Sequence, residues 1–183
     1  MRISTTHALH VGNMIAIDLS KSGIVTLTQG IEPVGKHASD LILADLKKES
    51  ALEEKVHDLI DENEDDIDFY RADEKQLFWM IKKKLAAESG VILAFEERYS
   101  NLAHEILDDL YEEDLIAYTI SENRVKNVIY SAIDNYTKAF SEIEDAVVEK
   151  IKGYKRELVF GSEEYDIVFQ KLYQEELAKR GMA

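Results

Sequence analysis

In the stretch QGIEPVGKH, Gly30, Gly35 and Lys36 fall in register with the phosphate-binding pattern G-x-x-x-x-G-K-[ST], and only His37 departs from it. That pattern holds a nucleotide by wrapping backbone N–H groups around its phosphates, with the lysine reaching the terminal phosphates and the hydroxyl on magnesium. Three features oppose that chemistry here. Glu32 places a carboxylate inside the cradle, and His37 cannot supply the hydroxyl. The third is architectural: a phosphate loop joins a buried parallel strand to a helix, and no strand–helix alternation surrounds these residues. The stretch reads instead as a helix start, with Thr28 near the cap, Glu32 early and Pro33 in the first turn, where its missing N–H costs little.

Other constellations also fall short. Glu54 and His57 have the i, i+3 spacing of carboxylate-bridged di-iron bundles, but such a site needs a second pair, and His104 has Asn101 at the matching place. Asp61, Asn63 and Asp65 match the first ligands of a calcium loop; Asp66 stands where glycine must turn the chain, and Ala72 where a bidentate glutamate belongs. This segment reads as an acidic linker. The cluster Asp108, Asp109, Glu112, Glu113 and Asp114 reads as a helix face, and Lys82-Lys83-Lys84 as the solvated face of another. With no cysteine, no G-x-S-x-G elbow, and histidines scattered at 7, 10, 37, 57 and 104, nucleophilic catalysis has no foothold. No catalytic, cofactor-binding or metal residue is assigned, and a non-enzymatic role is expected. A nucleotide-binding protein using Gly30–Lys36 and a metal-binding helical protein are the alternatives.

The elements that would carry these residues are helices. One proline and eight glycines among 183 residues leave few breakers. Met14, Ile15 and Leu19, then Val34, Ala38, Leu41 and Ile42, then Leu52, Val56, Leu59 and Ile60 recur at three and four. The spacing predicts one helix from about Ile31 to about Asn63, on the order of 50 Å long, which needs antiparallel neighbours. In the first terminal helix, Phe78, Ile81 and Leu85 form the apolar stripe, with Trp79 beside it as a rim residue or partner anchor.

A shift of half the chain reveals an internal repeat. Ile15 falls on Ile106, Leu19 on Leu110, Val34 on Val125, Ile42 on Ile133, Val56 on Val147, Phe78 on Phe169 and Gly90 on Gly181, without a gap. Each half reads as a first helix ending near Gly23 or Asp114, a short β-branched stretch, a long helix, a linker and a terminal helix. Ile24–Thr28 and Leu115–Ile120 could pair as a two-stranded ribbon between the halves. The linker Lys152–Arg156 is basic where Asp61–Asp66 is acidic, so the two could attract, within one molecule or between copies.

The net charge of −15 repels phosphate backbones and anionic lipid, so neither nucleic acid nor a membrane is an expected partner. The absence of cysteine suits a reducing cytoplasm, no signal peptide is read at the N-terminus, and the longest apolar run, Val91–Phe95, is too short to cross a bilayer.

The segments EEDLIAYTISENRVKN (Glu112–Asn127), FWMIKKKLAAESGVIL (Phe78–Leu93) and the ending QKLYQEELAKRGM resemble the uncharacterised bacterial proteins of domain of unknown function 507, over essentially the whole chain. The resemblance implies a bacterial, cytoplasmic setting and brings no activity, cofactor or catalytic residue. The expectation is therefore an all-α protein of two tandem, similar helical halves, residues 1–91 and 92–183, forming one elongated body around long antiparallel helices. Its expected role is to present helix faces to a protein partner or to itself.

Overall fold

The computed structural model describes residues 3, 5–63, 73–154, 156 and 158–180. Among these, six α-helices and one two-residue ribbon make the protein all-α, as expected: α1 (Ala8–Lys21), β1 (Thr26–Leu27), α2 (Ile31–Asp61), α3 (Glu74–Ser89), α4 (Phe95–Glu112), β2 (Ile116–Ala117), α5 (Glu122–Lys152) and α6 (Glu163–Lys179). The chain divides into two compact units, Arg2–Asp134 and Asn135–Ala183.

In the first unit, α1 packs along α2, and α3 and α4 both lean on α2. The stripes read from the sequence face inward: Ile15, Leu19, Val34, Ala38, Ile42, Leu52 and Val56 are buried. Met14 and Leu59, at the edges of their stripes, point to solvent instead. The helices cross most closely where both lack a side chain. Gly12 of α1 and Gly35 of α2 are buried, and a Cβ built on Gly12 would overlap Ser39 Oγ and the carbonyl oxygen of Gly35.

The ribbon forms as an antiparallel pair with Thr26 opposite Ala117 and Leu27 opposite Ile116. Thr28 extends it: its N–H donates to the Leu115 carbonyl at 3.0 Å and its hydroxyl to the Asp114 carbonyl. Thr28 therefore serves the ribbon and not the start of α2, where Gly30, at φ 89°, is the capping residue and offers no side-chain cap. Glu32 and Pro33 do lie in the first turn of α2.

In the second unit, α6 lies against the C-terminal part of α5. Tyr136, Phe140, Tyr173, Phe169 and Tyr165 form a continuous run of rings with centroids 4.3, 6.4, 5.9 and 6.1 Å apart. Burial pushes the Tyr173 phenol up to about 12, and the Glu144 charge adds to the shift. Glu176 of α6 accepts hydrogen bonds from Lys150 of α5 and from Lys179 at 2.9 Å, and these hold its carboxyl down at about 2. A depressed native pKa stabilises the fold above the ordinary value of 4.5, and that contribution is lost as pH falls toward 2. Wild type is therefore expected to melt higher than Glu176→Gln at neutral pH, with the gap closing toward pH 2. A pH-independent gap in thermal melts would contradict the assignment.

Candidate functional site

Alpha-helix periodicity places position 82 on the same face as Phe78, Ile81 and Leu85, so Lys82 falls on the apolar stripe of α3. It is buried, at 4% exposure, while Lys83 and Lys84 face solvent. The triplet is thus not a uniformly solvated face. Lys82 Nζ donates to Glu49 Oε1 at 3.1 Å and to Glu53 Oε1 at 2.7 Å, both on α2. The other oxygen of Glu49 accepts from Arg98 of α4, whose Nε also donates to Asp45 Oδ2 at 2.8 Å and whose Nη2 lies 2.7 Å from the same oxygen. Glu49 is 5% exposed and Arg98 4%. One carboxylate on α2 therefore joins cations from α3 and α4 in a place where an apolar residue would ordinarily sit.

The network is closely paired but carries one carboxylate in excess. Two cations meet three carboxylates, and Asp45 and Glu53 keep contact with water while Glu49 does not. Burial alone would lower the Arg98 pKa; its hydrogen bonds to Asp45 and Glu49 outweigh burial and raise it. The neighbouring Tyr99 phenol is pushed up to about 12, chiefly by burial. Lys82 Nζ also lies 5.2 Å from the Trp79 ring centre, so the indole closes over the cation from outside.

A cavity of about 540 Å³ opens beside the network, between α2, the end of α3 with residues 90–92, and the start of α4. Leu52, Leu85, Val91, Ile92 and Leu102 give it an apolar wall. Lys48 and Lys55 of α2, Glu88 of α3 and Glu105 of α4 ring it with both signs of charge. Gly90, at φ 71°, ends α3 in the left-handed conformation that lets the chain turn into this wall. The one hydroxyl in the lining, Ser89 Oγ, donates back to the Leu85 carbonyl at 2.7 Å and is not poised as a nucleophile. Chemically the cavity offers an apolar surface and a charged rim.

The other residues singled out by the sequence are dispersed. Gly35 is buried at the crossing with α1, and Lys36 is exposed one residue on, within the helix. Residues 31–36 are thus helical, where a phosphate cradle would need a loop. Glu54 and His57 are exposed, and the His57 ring lies 5.0 Å from Phe78. Asp109, read as part of a helix face, instead bridges helices by accepting from His37 Nδ1 at 2.9 Å. Of the acidic linker, residues 64–66 and Ala72 lie outside the described residues, as do Lys155 in the basic linker and Gly181 in the repeat. Arg156 pairs with Glu164 at 2.9 Å and Lys152 with Glu149 at 2.6 Å, so these cations find partners locally.

The sequence reading missed the network because it took three consecutive lysines as one unit. The available signal was helical register: Lys82 lies on its stripe, and Glu49 lies on the α2 stripe between Leu46 and Leu52. Two opposite charges at core positions of neighbouring helices are a signature of a buried pair.

No helix is long and apolar enough to cross a membrane among the described residues. Compared with known proteins, residues 1–182 match the family described as Protein of unknown function (DUF507). No curated protein matches the chain.

Proposed function

We propose that this chain, which belongs to the DUF507 family, is a non-enzymatic, cytoplasmic bacterial protein that presents helix faces to a protein partner or to a second copy of itself. The observation that carries this reading is α3. Its inner face is fixed by the Lys82 network, while Trp79 and Met80 on its outer side are 55% and 70% exposed. Large aromatics on a rigid helix are the usual anchors of protein interfaces, because they bury much area with few rotamers to freeze. The indole also packs edge-on against Phe78, with centroids 5.9 Å apart, which holds it in place before any partner arrives.

The two-halves organisation belongs to the same reading. Helices α2 and α5 each run 31 residues and begin 91 residues apart. Gly23 and Asp114, also 91 apart, both take left-handed φ values, 69° and 53°. Thr26 pairs with Ala117, the residue 91 further on, so the ribbon register matches each half to the other. These correspondences support a duplicated unit at residues 1–91 and 92–183.

The test uses the single tryptophan. Trp79 emission should shift to the blue as the protein self-associates or takes up a captured bacterial protein. In sedimentation, which needs no fluorophore, Trp79→Ala and Met80→Glu should both abolish the same association. Met80→Glu should melt close to wild type and Trp79→Ala modestly lower, because it also removes the indole over Lys82. Association unchanged in both variants would sink the reading. Nucleotide binding through Gly30–Lys36 draws less support, and thermal melts with Mg-ATP or Mg-GTP that respond to Lys36→Ala would restore it.

A further inference from the structure

The turn from α4 into β2 and back into α5 brings three exposed groups together that are distant in sequence. His104 and Asp108 stand one turn apart on α4, and Glu122 opens α5. His104 Nδ1 lies 3.3 Å from Glu122 Oε1, and its Nε2 lies 3.7 Å from Asp108 Oδ2. One ligand atom from each residue falls within 4.8 Å of the others. We propose that His104, Asp108 and Glu122 form a divalent transition-metal site, with zinc-like preference, that ties the start of α5 to α4.

The chemistry follows from the donor set. One imidazole and two carboxylates suit a borderline first-row ion such as Zn²⁺, whereas all-oxygen sites favour Mg²⁺ and Ca²⁺. Bonds of about 2.0–2.2 Å to a tetrahedral zinc put neighbouring ligands roughly 3.4 Å apart. His104 presents Nδ1 to Glu122 and Nε2 to Asp108, and one ion takes only one of these nitrogens. With one donor atom per residue the three lie within 4.8 Å of one another, wider than that spacing. Each group is half exposed, so the side chains must turn to close on an ion. Water completes the coordination. Among the described residues, neither carboxylate has an ion-pair partner except His104. The site therefore has unneutralised negative charge, which also raises the pKa of the adjoining Tyr118 phenol beyond the effect of its burial.

The test titrates the full chain, stripped with a chelator and dialysed, with Zn²⁺ by calorimetry, and follows the five histidine rings by NMR. One saturable equivalent is expected, with His104 resonances moving and those of His7, His10, His37 and His57 unmoved. His104→Gln and Glu122→Gln should each weaken binding by roughly tenfold or more, since even outer-shell partners of a metal are worth about 10–100-fold. His37→Gln should not. The exposed positions of both ligands leave folding intact, which circular dichroism checks. Three results would overturn the site: no saturable binding, binding unchanged in both ligand variants, or displacement of Zn²⁺ by equimolar Mg²⁺, which would mark a general acidic surface.

Discussion

Arg98→Met lowers stability by about 3–5 kcal/mol, the usual loss when one member of a buried ion pair is removed and its partner is left charged in the interior. The stranded group is Glu49, which keeps Lys82 but loses the guanidinium on its second oxygen. Urea unfolding measures the change as a shift in midpoint at constant slope. The cause separates from lost packing by a second comparison. Replacing Glu49, Lys82 and Arg98 together by leucine, leucine and methionine removes the three most buried charges of the network at once and leaves the partly solvated Asp45 and Glu53. Concerted apolar replacement of such networks is often neutral or stabilising. The triple variant is expected to be more stable than Arg98→Met alone. A triple no better than the single would assign the cost to packing. On the proposed two-halves reading the counterparts of Glu49 and Lys82, 91 residues on, are Phe140 and Tyr173, which meet in an aromatic contact.

Gly12→Ala gives the second large effect, and its sign is the informative part. In an open helix the change should stabilise by about 0.5–1 kcal/mol through backbone entropy. At this crossing the new methyl meets Ser39 Oγ, the Gly35 carbonyl and, at 2.7 Å, the Ser39 amide. Two of these three are backbone, so α1 must move away from α2 and disturb the Val11, Ile15 and Ala38 packing beside it. Overpacking of this kind costs about 1–3 kcal/mol and occasionally more. The net expectation is a loss of about 1–2 kcal/mol, read as a fall in melting temperature. A rise would mean that the helices separate freely, and Gly35 would then lose its structural explanation.

These two sites show what could be read in advance. The long helix from Ile31 and the inward stripes followed from period and breakers, because hydrophobic burial is written locally. For the ribbon, the β-branched stretches Ile24–Thr28 and Leu115–Ile120 offered a pairing but not its Thr26–Ala117 register. Gly35 was visible but ambiguous: a glycine beside a lysine fits a phosphate loop as well as a helix crossing, and only the position of Gly12 decides between them. Glu49 and Lys82 were hidden by the habit of assigning charge to the surface. The His104–Glu122 pairing was unreadable because it depends on how the 113–121 connection folds back, which no periodic signal encodes.

The α3 and α4 partners of α2 arrive late, as does the ribbon partner of the segment that leads into it. Asp45 and Arg98 are 53 residues apart, and Thr28 and Asp114 are 86. At synthesis rates of about 5–20 residues per second, a gap of that size is roughly 3–17 s. During this interval the growing chain carries α2 with Asp45 and Glu49 still in water and its Leu52–Val56 flank uncovered. Native closure of the first unit cannot precede the emergence of α4 from the ribosome. A several-second window follows in which that flank is open to chaperones or to another nascent chain.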